Sequence, residues 1–154
     1  MADTPTFDIQ QAHRHFSADL FNKTWDLMDK DGNRSNEEYM EMLHTAIASL
    51  WHWTQRKDVT DENLSVGYWQ VSRVYCLIRQ PNNARRYGRL ALDHAKDLHP
   101  FFKGYAYETL ARAEMIADKR YIMLTHLEKA REMLEQVEDA EDRELLKKDL
   151  ETIQ

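Results

Sequence analysis

Apolar residues recur along the chain at the three- and four-residue steps of a helix, in seven successive blocks. The first, about Phe7 to Lys30, carries Ile9, Ala12, Phe16, Leu20 and Leu27 on one stripe and Phe21, Trp25 and Met28 on another. Two stripes place a helix between neighbours. Asp31, Gly32 and Asn33 end it, and Ser35 with Glu38 has the capping-box pattern for a second helix, about Asn36 to Gln55. That helix sets Tyr39, Leu43, Ala46, Leu50 and Trp53 on one face, with Met40, Ile47 and Trp51 on a second.

Thr60 and Asp61 cap a third helix that continues to about Arg79. Its β-branched and aromatic residues would suit a strand, but Leu64, Tyr68, Val71, Tyr75 and Ile78 keep a 4-3-4-3 spacing that only a helix gathers on one face. Pro81 opens a fourth helix, in which Ala84, Gly88, Ala91, Ala95 and Leu98 form a narrow face that invites close approach. Pro100 opens a fifth, to about Ala117, and a sixth follows the polar break at Asp118 and Lys119, to about Gln136. A charged helix, about Asp139 to Ile153, covers the end with Leu145, Leu146, Leu150 and Ile153. The expected core includes Phe16, Leu20, Leu43, Leu50, Tyr68, Val71, Tyr75, Ala91, Leu110, Ala111, Leu127 and Ala130. Trp25, Trp51, Trp53 and Trp69 are read as core too, and residues 1–6 as a disordered N-terminus, since nothing apolar precedes Phe7 to tie them down.

The pattern predicts an all-α protein, an antiparallel helical-hairpin array of about seven helices in a single domain, residues 1–154, with 139–153 as the capping helix. Composition agrees: 4 Gly and 3 Pro are too few for the frequent turns of a sandwich or barrel. A formal charge of −6 repels phosphate backbones, so no nucleic-acid partner is expected. No uncharged apolar run approaches the ~20 residues of a membrane span, and Met1 to Gln11 lacks the basic start and apolar centre of a signal peptide. The single cysteine, Cys76, cannot form an intramolecular disulfide, which fits a cytoplasmic setting.

The blocks also repeat. Tyr68-x2-Val71-Ser72-x2-Tyr75, followed by Ala84-x3-Gly88-x2-Ala91, resembles the tetratricopeptide pattern, with Tyr68 in the Trp place and Ser72 in the Gly place. Tyr107-x2-Leu110-Ala111-x2-Glu114, then Met123-x3-Leu127-x2-Ala130, repeats it more loosely, with Glu114 where the family has Tyr and Gly88 where it has an aromatic. The runs LFNKTWDLMDK, ASLWHW, QVSRVY and AYETLARAEMIADK are similar to a group of small bacterial tetratricopeptide-like proteins. That resemblance implies a helical-repeat fold and supplies no activity or catalytic residue. It also implies a concave groove lined by the first helix of each hairpin, one residue after the Trp-like and Gly-like positions. Carried onto this chain, those positions are Trp69, Arg73, Glu108 and Arg112, with Tyr105 one turn before Glu108.

Two arginines, a carboxylate and two aromatics can recognise an anion, because Arg grips a carboxylate bidentately while Trp supplies a flat wall. A purely internal Arg112–Glu108 pair, i,i+4, with Trp69 packed against it, is the competing arrangement. The function expected is a protein-interaction or ligand-sensing module whose partner is a protein, a peptide or a small anionic ligand. The alternative is an enzyme or metal-dependent protein using His44 and His52 in a pocket between helices two and three. A third reading is self-association through exposed aromatic surface.

Other motifs lack part of what their chemistry needs. Asp29-Lys30-Asp31-Gly32-Asn33 starts like a calcium loop, but the turn-forming Gly at position 6 and the closing Glu at position 12 are replaced by Arg34 and Met40. No His-x3-His pair offers a metal two ligands from one helix, and Glu41-x2-His44 stands alone. Ser49 and His52 lie one turn apart with no glycine-rich turn to build an oxyanion hole. Phosphate-loop and dinucleotide motifs are missing, so no cofactor is expected. Arg79, Arg85, Arg86, Arg89 and Lys96 make the region of helix four basic, which suits an anion or RNA patch or, the reading preferred, a solvated outer face meeting the acidic tail.

Overall fold

Several helix starts in this chain are set by side chains that take up the backbone N–H groups left over at a first turn. Asp8 accepts from the amides of Gln10 (2.8 Å) and Gln11 (3.1 Å), and Asp139 from those of Glu141 and Asp142 (both 3.0 Å). Ser35 and Glu38 form the reciprocal capping box, while Pro81 and Pro100 sit at the first helical position, where the missing N–H costs nothing. The resulting helices are α1 (Ile9–Met28), α2 (Asn36–Thr54), α3 (Asp61–Leu77), α4 (Pro81–Ala95), α5 (Pro100–Ile116), α6 (Arg120–Glu135) and α7 (Ala140–Glu151).

The structure, a computed structural model, describes residues 4–154, and among them there is no strand. Of the segment expected to be disordered, residues 1–3 lie outside the described residues, and Thr4, Pro5 and Thr6 are exposed and belong to no helix. None of the described helices is long and apolar enough to cross a membrane. Consecutive helices pack as antiparallel hairpins, α1 with α2, α3 with α4 and α5 with α6, and the chain divides into two compact units, one ending at Thr60 and one spanning Asp61–Gln154.

In the first unit the seam between α1 and α2 is made of small hydroxyl residues. Ser17, Thr24, Thr45 and Ser49 are buried; the Thr24 and Thr45 hydroxyls meet at 2.9 Å, and Ser49 Oγ donates to the Ser17 carbonyl at 2.7 Å. Because the contact runs through Ser17 and Thr24, the stripe beside it is displaced outward. Phe16, expected in the core, is 42% exposed against the His15 and His52 rings, and Trp51, also expected there, is 53% exposed. The turn between the helices is held by Arg34, whose Nε donates to the Leu27 carbonyl at 2.6 Å, and by Gly32 at φ 85°.

The second unit holds two hairpins and α7. The small face of α4 is buried as Ala84, Gly88, Ala91 and Ala95, and a Cβ on Gly88 would come within 2.9 Å of Leu110 Cδ2 on α5. Hydroxyls again tie helices through carbonyls: Ser65 Oγ donates to the Ala91 carbonyl (3.0 Å), and the Thr109 hydroxyl donates to Ser72 Oγ, which donates to the Ala84 carbonyl (both 2.7 Å). A second apolar cluster joins Ala111, Met123, Leu127, Ala130 and Val137 to Leu146, Leu150 and Ile153. Helices α3 and α5 end alike, on a left-handed residue, Arg79 (φ 59°) or Asp118 (φ 56°), after which the next amide bonds back to Tyr75 or Glu114 at 2.9 Å. These two ends are 39 positions apart (79 to 118), the offset that also relates Ala91 to Ala130 in the repeat.

Two predictions follow from this packing. Ala91→Leu overpacks a fully buried contact and should destabilise by roughly 1–3 kcal/mol; an unchanged melting midpoint would remove Ala91 from the helix interface. Arg79→Gly relieves a left-handed conformation that disfavours a Cβ, and should raise stability by about 1 kcal/mol or less in urea titration. A loss of stability would mean that the Arg79 side chain matters more than its backbone.

Candidate functional site

The four positions that the tetratricopeptide resemblance picks out, Trp69 and Arg73 on α3 and Glu108 and Arg112 on α5, and Tyr105 one turn before Glu108, come together in the second unit around one carboxylate. Glu108 is fully buried. Its Oε2 accepts the indole N–H of Trp69 at 3.1 Å, and its Oε1 accepts from Arg112 Nε in an i,i+4 pair. Arg73 Nε stands 3.9 Å from the same Oε1, an ion pair too long for a hydrogen bond, and is itself buried with no hydrogen-bond partner. Tyr105 packs edge-on against Trp69, ring centroids 5.3 Å apart.

Helix α7 closes this arrangement. Arg112 Nη2 donates to the Asp149 carbonyl (2.9 Å) and to Thr152 Oγ1 (2.6 Å), so a guanidinium sits at the C-terminal end of α7, where the helix dipole is negative. The Tyr105 hydroxyl donates to Asp149 Oδ2 at 2.8 Å. Burial first, and then the Asp149 charge, pushes the Tyr105 phenol far above its ordinary range, so it remains a donor. Gly104 makes the approach possible, since a Cβ there would lie 2.5 Å from Leu146 Cδ2. Asp149 and Thr152 were not visible as site residues in the sequence; α7 advertises its leucines, and its polar contacts lie between positions that carry no repeat signature.

Arg112 is thus committed on every side: Glu108, Asp149 and Thr152 each hold it, and Trp69 is packed and bonded to Glu108. The internal Arg112–Glu108 pair weighed from the sequence is present, which leaves Arg73 as the arginine with unmet hydrogen-bonding capacity at a buried nitrogen.

The histidines of the alternative pocket do not converge. His44 is exposed on α2, while His52 is part-buried with its Nδ1 2.8 Å from His13 Nδ1 on α1. Only one nitrogen of that contact can carry the shared proton, and burial, followed by the His13 charge, lowers the pKa of His52. Ser49 Oγ is occupied by the Ser17 carbonyl, so the Ser49–His52 dyad is not assembled. Cys76 is buried, and burial pushes its thiol up to about 12, far from a thiolate at neutral pH. Among the described residues no group of three or more His, Cys, Asp or Glu could hold a metal ion.

Removing one partner of a buried pair leaves the other charge uncompensated, so Arg112→Ala should cost about 3–5 kcal/mol in chemical denaturation. A change near zero would show that Glu108 is solvated and the network is not structural. No family model matches the sequence, and no curated protein matches it either.

Proposed function

We propose that the chain is a tetratricopeptide-like interaction module that takes an anionic group, such as a peptide C-terminus or acidic segment or a small carboxylate ligand, at Arg73 beside Trp69 and Tyr105. The observation that carries this reading is the buried Arg73 Nε without a hydrogen-bond partner, next to a carboxylate already bonded to Arg112 and Trp69. A buried donor left unsatisfied is costly, and an anion of suitable shape would supply the missing acceptor. The same corner already accepts acidic helix chemistry, because the end of α7 brings the Asp149 carboxylate to Tyr105 and a backbone carbonyl to Arg112. An acidic peptide would engage the side that α7 leaves to Arg73.

Screening acidic and C-terminal peptides by fluorescence anisotropy tests the reading. A binder should lose affinity by roughly tenfold or more in Arg73→Ala, about 1.4 kcal/mol or above, while the melting temperature stays close to that of the parent chain. Equal affinity in Arg73→Ala would remove this arginine from recognition.

A further inference from the structure

On another face of α5 from Glu108, the basic residues of α4 do not meet the acidic tail as the sequence suggested. Arg85 instead makes a two-pronged pair with buried Glu114 of α5, Nη2 to Oε2 at 2.9 Å and Nε to Oε1 at 2.5 Å. That pair consumes the carboxylate. Arg89, one turn along α4, and Lys129 on α6 are exposed and enter no ion pair among the described residues. Lys129 Nζ lies 5.5 Å over the ring of Tyr107, and Tyr107 stacks on His126 with centroids 6.3 Å apart. His126 Nδ1 is buried with no hydrogen-bond partner.

Helix α5 packs against both α4 and α6, so its Tyr107 and Glu114 lie between Arg85 and Arg89 on α4 and His126 and Lys129 on α6. We propose that this basic surface is a second binding site, specific for a phosphate-type oxyanion carrying two or more charges. Around His126 three cations, Arg85, Arg89 and Lys129, stand against one carboxylate, Glu114, already committed to Arg85, and the unsatisfied imidazole nitrogen on α6 adds a directional group. A multiply charged oxyanion accepts charge-assisted bonds from Arg and Lys at once and can also accept a hydrogen bond from the imidazole in its Nδ1–H tautomer. The surroundings of His126 support the geometry: burial lowers its pKa, Glu114 opposes this, and Lys129, Arg89 and Arg85 add to the lowering. Those cations are close enough to be felt at the ring, and an anion between them would reverse their effect. The site is separate from Arg73, whose partner Glu108 lies on a different face of α5.

The test is titration with pyrophosphate, followed by calorimetry and by phosphorus NMR, on the full chain. Saturable binding should weaken by about tenfold or more in each of Arg89→Ala and Lys129→Ala, and should fall steeply with added salt. Both side chains are exposed, so the melting temperature should hold and loss of binding is not loss of fold. Arg86→Ala, an exposed α4 cation outside these contacts, should bind as the parent does. Absence of saturable binding to the parent chain, or equal weakening in Arg86→Ala, would overturn the proposal.

Discussion

A carboxylate removed from water must be compensated by donors at close range, and the second unit is arranged around one such group. Glu108 draws an indole N–H from α3 and a guanidinium from its own helix, and that guanidinium reaches on to the end of α7. Three helices are therefore referenced to a single charge. Apolar packing by Leu146, Leu150 and Ile153 makes α7 adhere, but it is non-directional. The contacts of Arg112 and Tyr105 with Asp149 and Thr152 specify where along α5 it stops.

Close helix approach is the second constraint, and the chain meets it with small residues and hydroxyls in place of large interlocking side chains. Gly88 and Gly104 each leave room that a Cβ would fill, and Ser65, Ser72 and Thr109 bond the helices to one another through carbonyl and hydroxyl oxygens. With backbones this near, α5 is buried on several sides and must carry its polar residues inward. Glu108 and Glu114 lie on different faces of the same helix, each neutralised by an arginine. Those two internal pairs divide the unit into two chemically distinct faces, one with an unmet arginine nitrogen and one with unpaired cations and an unmet imidazole nitrogen.

Much of the helical framework was legible because its signals are local. The capping box at Ser35, prolines at 81 and 100, and the 4-3-4-3 apolar spacing of α3 placed the helices within a few residues of their observed ends. The small face of α4 was visible in the same way. Phe16 and Trp51 misled because periodicity cannot tell which of two adjacent stripes a neighbour will cover, and Ser17, Thr24, Thr45 and Ser49 have no hydrophobic signature. The family resemblance pointed to Trp69, Arg73, Glu108 and Arg112, with Tyr105 one turn before Glu108, and the structure holds these five in one place. The resemblance was silent on the burial of Glu108, since a charged residue in a helix reads as a solvated one until its neighbours are known. Asp149 and Thr152 come from another helix, a relation that no local pattern encodes.

The claim that Glu108 and Arg112 act as one buried unit is tested most directly by a double-mutant cycle with Glu108→Gln, Arg112→Gln and the pair together, read from urea unfolding. Each single change leaves one partner without its charge, whereas the double change removes both charges. The account predicts that the double variant loses less stability than the two singles combined, by more than about 1 kcal/mol. Additive losses would contradict it, because they would mean that the two groups do not share the interaction on which α3, α5 and α7 are aligned.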